Sequence, residues 1–117
     1  MDDSVGIQKA VGGGALVLGA LATVAPGVFL GMYGATNDVH IRTMTRLWGS
    51  RTAVLGALAF ILSGDENRRN WANASAAVHT ADAAILAASG GIPARPRVLG
   101  ALSAAAFAGV AAYSARD

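Results

Sequence analysis

The chain has 117 residues, enough for one domain, with 54% hydrophobic and only 14% charged residues where a soluble globular domain carries about 25% charged. Nine Lys and Arg against seven Asp and Glu give a formal charge of +2, too few and too scattered for the basic stripe of a nucleic-acid-binding face. Cysteine is absent, which excludes disulfides, thiol nucleophiles and thiolate-held zinc, haem or iron–sulfur centres.

From Ala10 to Asn37 no residue is charged, a run long enough to cross about 30 Å of hydrocarbon at 1.5 Å per residue. Ala20-Leu21-Ala22 imitates a signal-peptide cleavage site, but Asp2 and Asp3 stand where a basic cluster belongs, so the segment is read as a retained helix. This first helix is predicted over 6–32, with a kink or early end at Pro26-Gly27. A loop over 34–42 follows, marked by Gly34, Asn37 and Asp38.

The second helix is predicted over 43–63, ending in the turn residues Gly64, Asp65, Glu66 and Asn67. A third covers 70–89, stopped by Gly90-Gly91-Ile92-Pro93, and a fourth covers 97–113. The expected fold is therefore all-α, an integral membrane four-helix up-down bundle forming one domain over 1–117. Its expected location is the cell membrane, as a multi-pass protein.

Small residues recur at helical spacing: Ala15 with Gly19, Gly27 with Gly31, Gly49 with Ala53, Gly100 with Ala104. In lipid such pairs let backbones approach closely, and packing is their first reading. The aromatic residues then predict two interfacial belts, with Tyr33 and Trp48 at one face and Trp71 and Tyr113 at the other.

Within this frame Arg51 and Asp82 are charges in costly places. Arg51 precedes Ser63 by twelve residues and Asp82 follows Asn70 by twelve, so in an antiparallel pair both sit about 18 Å from the connecting turn. An inward-facing Arg51–Asp82 ion pair is predicted. His79 and Ser75 share a helix face with Asp82, which makes Arg51, Ser75, His79 and Asp82 the interior polar cluster. Arg46 and Trp48 lie nearer the opposite interface, where they can anchor the helix or line a binding site.

A histidine beside a carboxylate can act as a tuned acid or base, and an arginine can hold a developing oxyanion in a dry pocket. His79, Asp82 and Arg51 are therefore the candidate catalytic residues, and Arg46, Trp48 and Ser75 the candidate substrate contacts. The same cluster also reads, and more simply, as a buried ion pair serving helix registry. Other motifs carry no chemistry. Gly12-Gly13-Gly14 is followed by Val17 where a dinucleotide fingerprint needs glycine, and Asn73-Ala74-Ser75 falls inside a helix. His40 and His79 lack ligand partners at metal spacing, so neither a metal site nor a cofactor is expected.

The apolar helix ending in Pro26 and Phe29-Leu30, the string Arg46-Leu47-Trp48-Gly49-Ser50-Arg51 leading to Leu55-Gly56, and the Ala-rich helix with Asp82 resemble small bacterial four-helix membrane proteins of unassigned function, broadly similar to DoxX-like proteins. The resemblance implies the bundle and weight at Gly49, Arg51 and Asp82, and supplies no substrate.

Three functional classes remain open. The first is an integral membrane protein that binds a lipophilic small molecule at the polar cluster. The second is a membrane-embedded acid/base enzyme, an isomerase or cyclase acting on a lipophilic substrate. The third is a non-catalytic accessory subunit of a membrane complex. The partners implied are membrane lipid, a lipophilic small molecule and a second copy of the chain in a homodimer.

Overall fold

The computed structural model describes residues 2–62 and 64–116, and Ser63, the residue from which the depth of Arg51 was counted, lies outside them. Five helices appear in order: α1 (Asp2–Val24), α2 (Pro26–Tyr33), α3 (Val39–Ile61), α4 (Asp65–Ala88) and α5 (Ala94–Ser114). The first predicted helix is thus two. Ala25, at φ −131° and ψ 65°, leaves the helical region, and Pro26 starts α2 at the position where its missing N–H costs nothing. Gly34 closes α2 in the left-handed conformation at φ 69°, with Ala35 donating back to the Leu30 carbonyl at 2.9 Å. Asp38 then starts α3, its carboxylate accepting from the Ile41 amide at 3.0 Å.

The expectation of a four-helix integral membrane bundle is not upheld. Of the described helices, two are long and apolar enough to cross a membrane, over Val5–Val24 and Ala94–Ser114. The reason is chemical. Helix α3 dilutes its apolar residues with Arg42, Arg46, Arg51, Ser50 and three threonines, and α4 opens on Asp65, Glu66, Asn67, Arg68, Arg69 and Asn70. The expectation of spans there rests on charge-free stretches and on pairing Arg51 with Asp82, and the polar residues at Arg42, Arg46, Ser50 and over 65–70 lower the hydropathy of both helices too far.

The helices associate as two pairs. In the first, α1 lies along α3 through two facing rows of small residues, Gly12, Ala15, Gly19 and Ala22 against Gly49, Thr52, Gly56 and Ala59. The 3-4-3 spacing keeps each row on one face of its helix. A Cβ added to Gly56 would stand 2.5 Å from the Gly12 carbonyl oxygen and 2.5 Å from the Leu16 amide nitrogen, and one added to Gly49 would stand 2.7 Å from the Gly19 carbonyl oxygen. The backbones therefore touch. Of the small pairs marked in the sequence, Ala15, Gly19, Gly49 and Ala53 belong to this seam, whereas Gly31 has open space around it and Gly100 packs on Leu86 of α4.

The second pair is α4 with α5. Consecutive α3 and α4 touch little, and what joins the two pairs is a plug at one end of the molecule: Val11, Ala59, Trp71, Ala72 and Ala111, all buried. Polar side chains secure it. The Trp71 indole donates to the Leu55 carbonyl at 2.8 Å, Gln8 to the Ala59 carbonyl at 3.3 Å, and Arg68 to the Ser114 carbonyl at 2.6 Å. Trp71 is 4% exposed, so it is a core residue and not a member of the expected interfacial belt.

Candidate functional site

At the other end the pairs part. Helix α2 and the loop after it lean over the gap, and the segment 89–93 closes it from the side of α4 and α5. Between them lies a cavity of about 620 Å³. Such a volume is within the roughly 300–1,000 Å³ of small-molecule sites. Leu18, Leu30, Ile41, Met44, Ile85 and Leu86 supply aliphatic wall, and Phe29, Tyr33, Trp48 and Phe107 supply rings.

The rings are ordered among themselves. Phe29 sits 4.9 Å from Tyr33 and 5.2 Å from Trp48 between centroids, each pair tilted, the offset arrangement that aromatic quadrupoles favour. Tyr33 crosses the cavity entrance to donate its hydroxyl to Ser103 of α5 at 3.1 Å, tying α2 to the second helix pair. Facing them from α4 and α5, His79 is buried and stacks on Phe107 at 5.3 Å.

The predicted Arg51–Asp82 pair is present. Nη2 of Arg51 lies 2.8 Å from one carboxylate oxygen and 3.1 Å from the other, so one nitrogen straddles both and the two-nitrogen fork is not used. Equal depth is not what brings them together. Arg51 is ten residues before the end of α3 and Asp82 seventeen after the start of α4, an offset of seven residues or roughly 10 Å of helical rise. Helical side chains lean toward their own N-terminus, and in antiparallel helices that points the two at each other. The long arginine stem spans the remainder.

Only the Asp82 half of the pair faces inward. The Arg51 side chain is 45% exposed and is not part of the cavity wall, while Asp82, at 17%, lines the cavity. Asp82 is also engaged from within, because the Trp48 indole donates to it at 3.3 Å. One carboxylate therefore links α3 and α4 through two partners, one on each side of the wall.

The remaining expected residues separate. Trp48, His79 and Asp82 line the cavity. Ser75 is fully buried below it, with no hydrogen-bond partner described for its hydroxyl. Arg46 is turned to α1, its Nε donating to the Thr23 carbonyl at 3.3 Å, an acceptor that the break at Ala25 leaves without a helical donor. It braces the chain break and does not line the site. Sequence reading overlooked the wall residues Phe29, Tyr33, Ser103 and Phe107. The available signal was Phe29 and Tyr33, four residues apart on an apolar segment after a proline.

Burial lowers the His79 pKa below the usual imidazole value of 6.5, the Asp82 charge raising it and the Arg51 charge lowering it to lesser extents. Among the described residues no hydrogen bond joins His79 to Asp82, and no group of three or more His, Cys, Asp or Glu is placed to hold a metal ion. The arrangement can enclose an apolar body and offer it an imidazole and a carboxylate. No protein-family model, curated protein or solved structure matches this chain.

Proposed function

We propose that the chain is a membrane-associated binding protein for a lipophilic small molecule, held in the cavity between the α1–α3 and α4–α5 pairs. The observation that carries this reading is the cavity itself: about 620 Å³ walled mainly by aliphatic and aromatic side chains, with His40, His79 and Asp82 among its polar groups. Apolar enclosure would supply affinity and the few polar groups orientation. Membrane association is supported by α1 and α5, the two described helices long and apolar enough to cross a membrane, and by exposed Val17, Val24, Leu102 and Val110 on them.

Binding is preferred to acid/base catalysis because the Asp82 carboxylate is already engaged by Arg51 and Trp48, and among the described residues no hydrogen bond joins it to His79 as an acid/base pair would need. Trp71→Phe leaves Trp48 as the sole indole reporter. In that background, titration with the neutral fluorophore N-phenyl-1-naphthylamine should quench Trp48 saturably. Ala104→Phe, which places a ring in the cavity, should abolish that quenching while the helical circular dichroism persists. Saturable quenching that survives Ala104→Phe sinks the proposal.

A further inference from the structure

The cavity has a polarity along its length, and this extends the reading just given, on which it rests. By helical rise, the distance from His40 to Thr52 on α3 and from Pro93 to Phe107 on α5 makes the cleft roughly 20 Å long. Its deep half is walled by Leu18 and Phe107 together with Thr52 and His79, and carries the Asp82 carboxylate, paired with Arg51, in its wall. Three arginines stand beside the residues of its mouth. Arg95 lies across Gly34, its Nε 2.9 Å from where a Cβ of that glycine would stand. Arg97 approaches Gly90, with Nη1 3.9 Å from the corresponding point. Arg42 is held to the loop by Asn37, its Nη1 2.9 Å from the Asn37 side-chain oxygen.

Residues beside all three line the entrance: Ile41 precedes Arg42, Pro96 stands between Arg95 and Arg97, and Ala35 and Gly91 follow the glycines that Arg95 and Arg97 approach. Against them the segments 33–42 and 89–97 contain one acid, Asp38, whose carboxylate is spent on the start of α3. Arg95 and Arg97 have no ion-pair partner among the described residues. An amphiphile entering head-first would bring its charge to the Asp82 end and bury it among hydrocarbon, whereas one entering tail-first leaves an anion among guanidinium groups at the rim.

We infer that the ligand is a single-chain amphiphile with an anionic head, its acyl chain in the cleft and its head between Arg95, Arg97 and Arg42. A free fatty carboxylate and a membrane lysophospholipid share this chemistry. The test displaces N-phenyl-1-naphthylamine from amphipol-held protein with palmitate, lysophosphatidylglycerol, methyl palmitate or hexadecylamine.

Palmitate or lysophosphatidylglycerol should compete about tenfold better than the ester or the amine, an advantage that shrinks as salt is raised. The better anion tells whether the source is a free acid or a membrane lipid. In the double variant Arg95→Gln/Arg97→Gln the advantage of palmitate over its methyl ester should fall about tenfold. If the fluorophore binds yet ester, amine and anions compete alike, or if the double variant keeps the full anion preference, the charge assignment is wrong and the apolar-site reading stands. If the fluorophore never saturates, both fall.

Discussion

Where α3 turns into α4, Trp71, Ala72, Ala59 and Ala111 close on one another, whereas where α2 meets α5 the rings of Phe29, Tyr33 and Trp48 stand around open space. Both ends use aromatic side chains, so residue type alone does not separate core from site. What differs is the partner. Trp71 lies against alanines and donates to a backbone carbonyl, which leaves no room around it. Trp48 lies against another ring and donates to a side chain on a helix pair that has moved away. The plug holds the two pairs together at one end, and that permits them to part at the other.

Removing the plug should produce the largest loss. Trp71→Ala deletes a buried ring and its hydrogen bond, and about 3 to 5 kcal/mol of unfolding free energy should go with it, measured by denaturant titration of the solubilised protein. Phe29→Ala, at the wall of a cavity already open, should cost visibly less. Equal losses would erase the distinction between the ends.

The seam comes next. Gly56→Val drives a branched side chain into the Gly12 carbonyl and the Leu16 amide, and should cost about 3 kcal/mol. Gly109→Ala on α5, with nothing within 4 Å of the added carbon, should be neutral or stabilising by about 0.5 kcal/mol because alanine loses less backbone entropy. A tolerated Gly56→Val would mean that α1 and α3 are not in backbone contact.

At the mouth the effects are smaller. Tyr33→Phe removes the hydroxyl that reaches Ser103 and should cost about 1 kcal/mol while loosening α2, which proteolysis within residues 34–38 would register as faster cleavage. Arg51 and Asp82 come lower still. Buried inward, as the sequence suggested, the pair would be worth several kcal/mol to break. With Arg51 45% exposed, a double-mutant cycle of Arg51→Ala and Asp82→Ala should give a coupling of about 0.2 to 1 kcal/mol, reduced by salt. A larger, salt-insensitive coupling would place the pair in a dry interior.

What was legible in the sequence follows the same division. Local signals were readable: the break at Pro26, the turn at Gly64, the stop at Gly90 to Pro93 and the small residues of the α1–α3 seam each act through a few neighbouring residues. Arg51 could be matched to Asp82 because two charges on adjacent helices have few other partners. The side of the helix on which they meet was not readable, since that depends on how far α3 and α4 separate. Trp71 shows the limit most clearly. As an aromatic near a helix start it read as an interfacial anchor, and only the alanines of α3, α4 and α5 converging on it make it core. The cavity wall was invisible for the same reason, because Tyr33 and Ser103 lie seventy residues apart.

The smallest effect concerns His79, the titratable group on the cavity wall whose burial holds its pKa below the usual value. Lowered in the folded chain, this imidazole is neutral there at pH values where the unfolded chain already takes up a proton. Its contribution to stability is complete above the unfolded-state value of about 6.5 and is lost as pH falls below it. The same transition weakens the cavity as an apolar host, since a charged imidazole among Phe107 and the aliphatic wall must be hydrated. Unfolding free energy should thus decline between pH 7 and pH 5 more in the native chain than in His79→Gln, with Asp82 and Arg51 left in place to contribute equally to both. Parallel pH profiles for the two proteins would show that His79 is hydrated in the folded state, and that the gap between the helix pairs is wet where its walls are apolar.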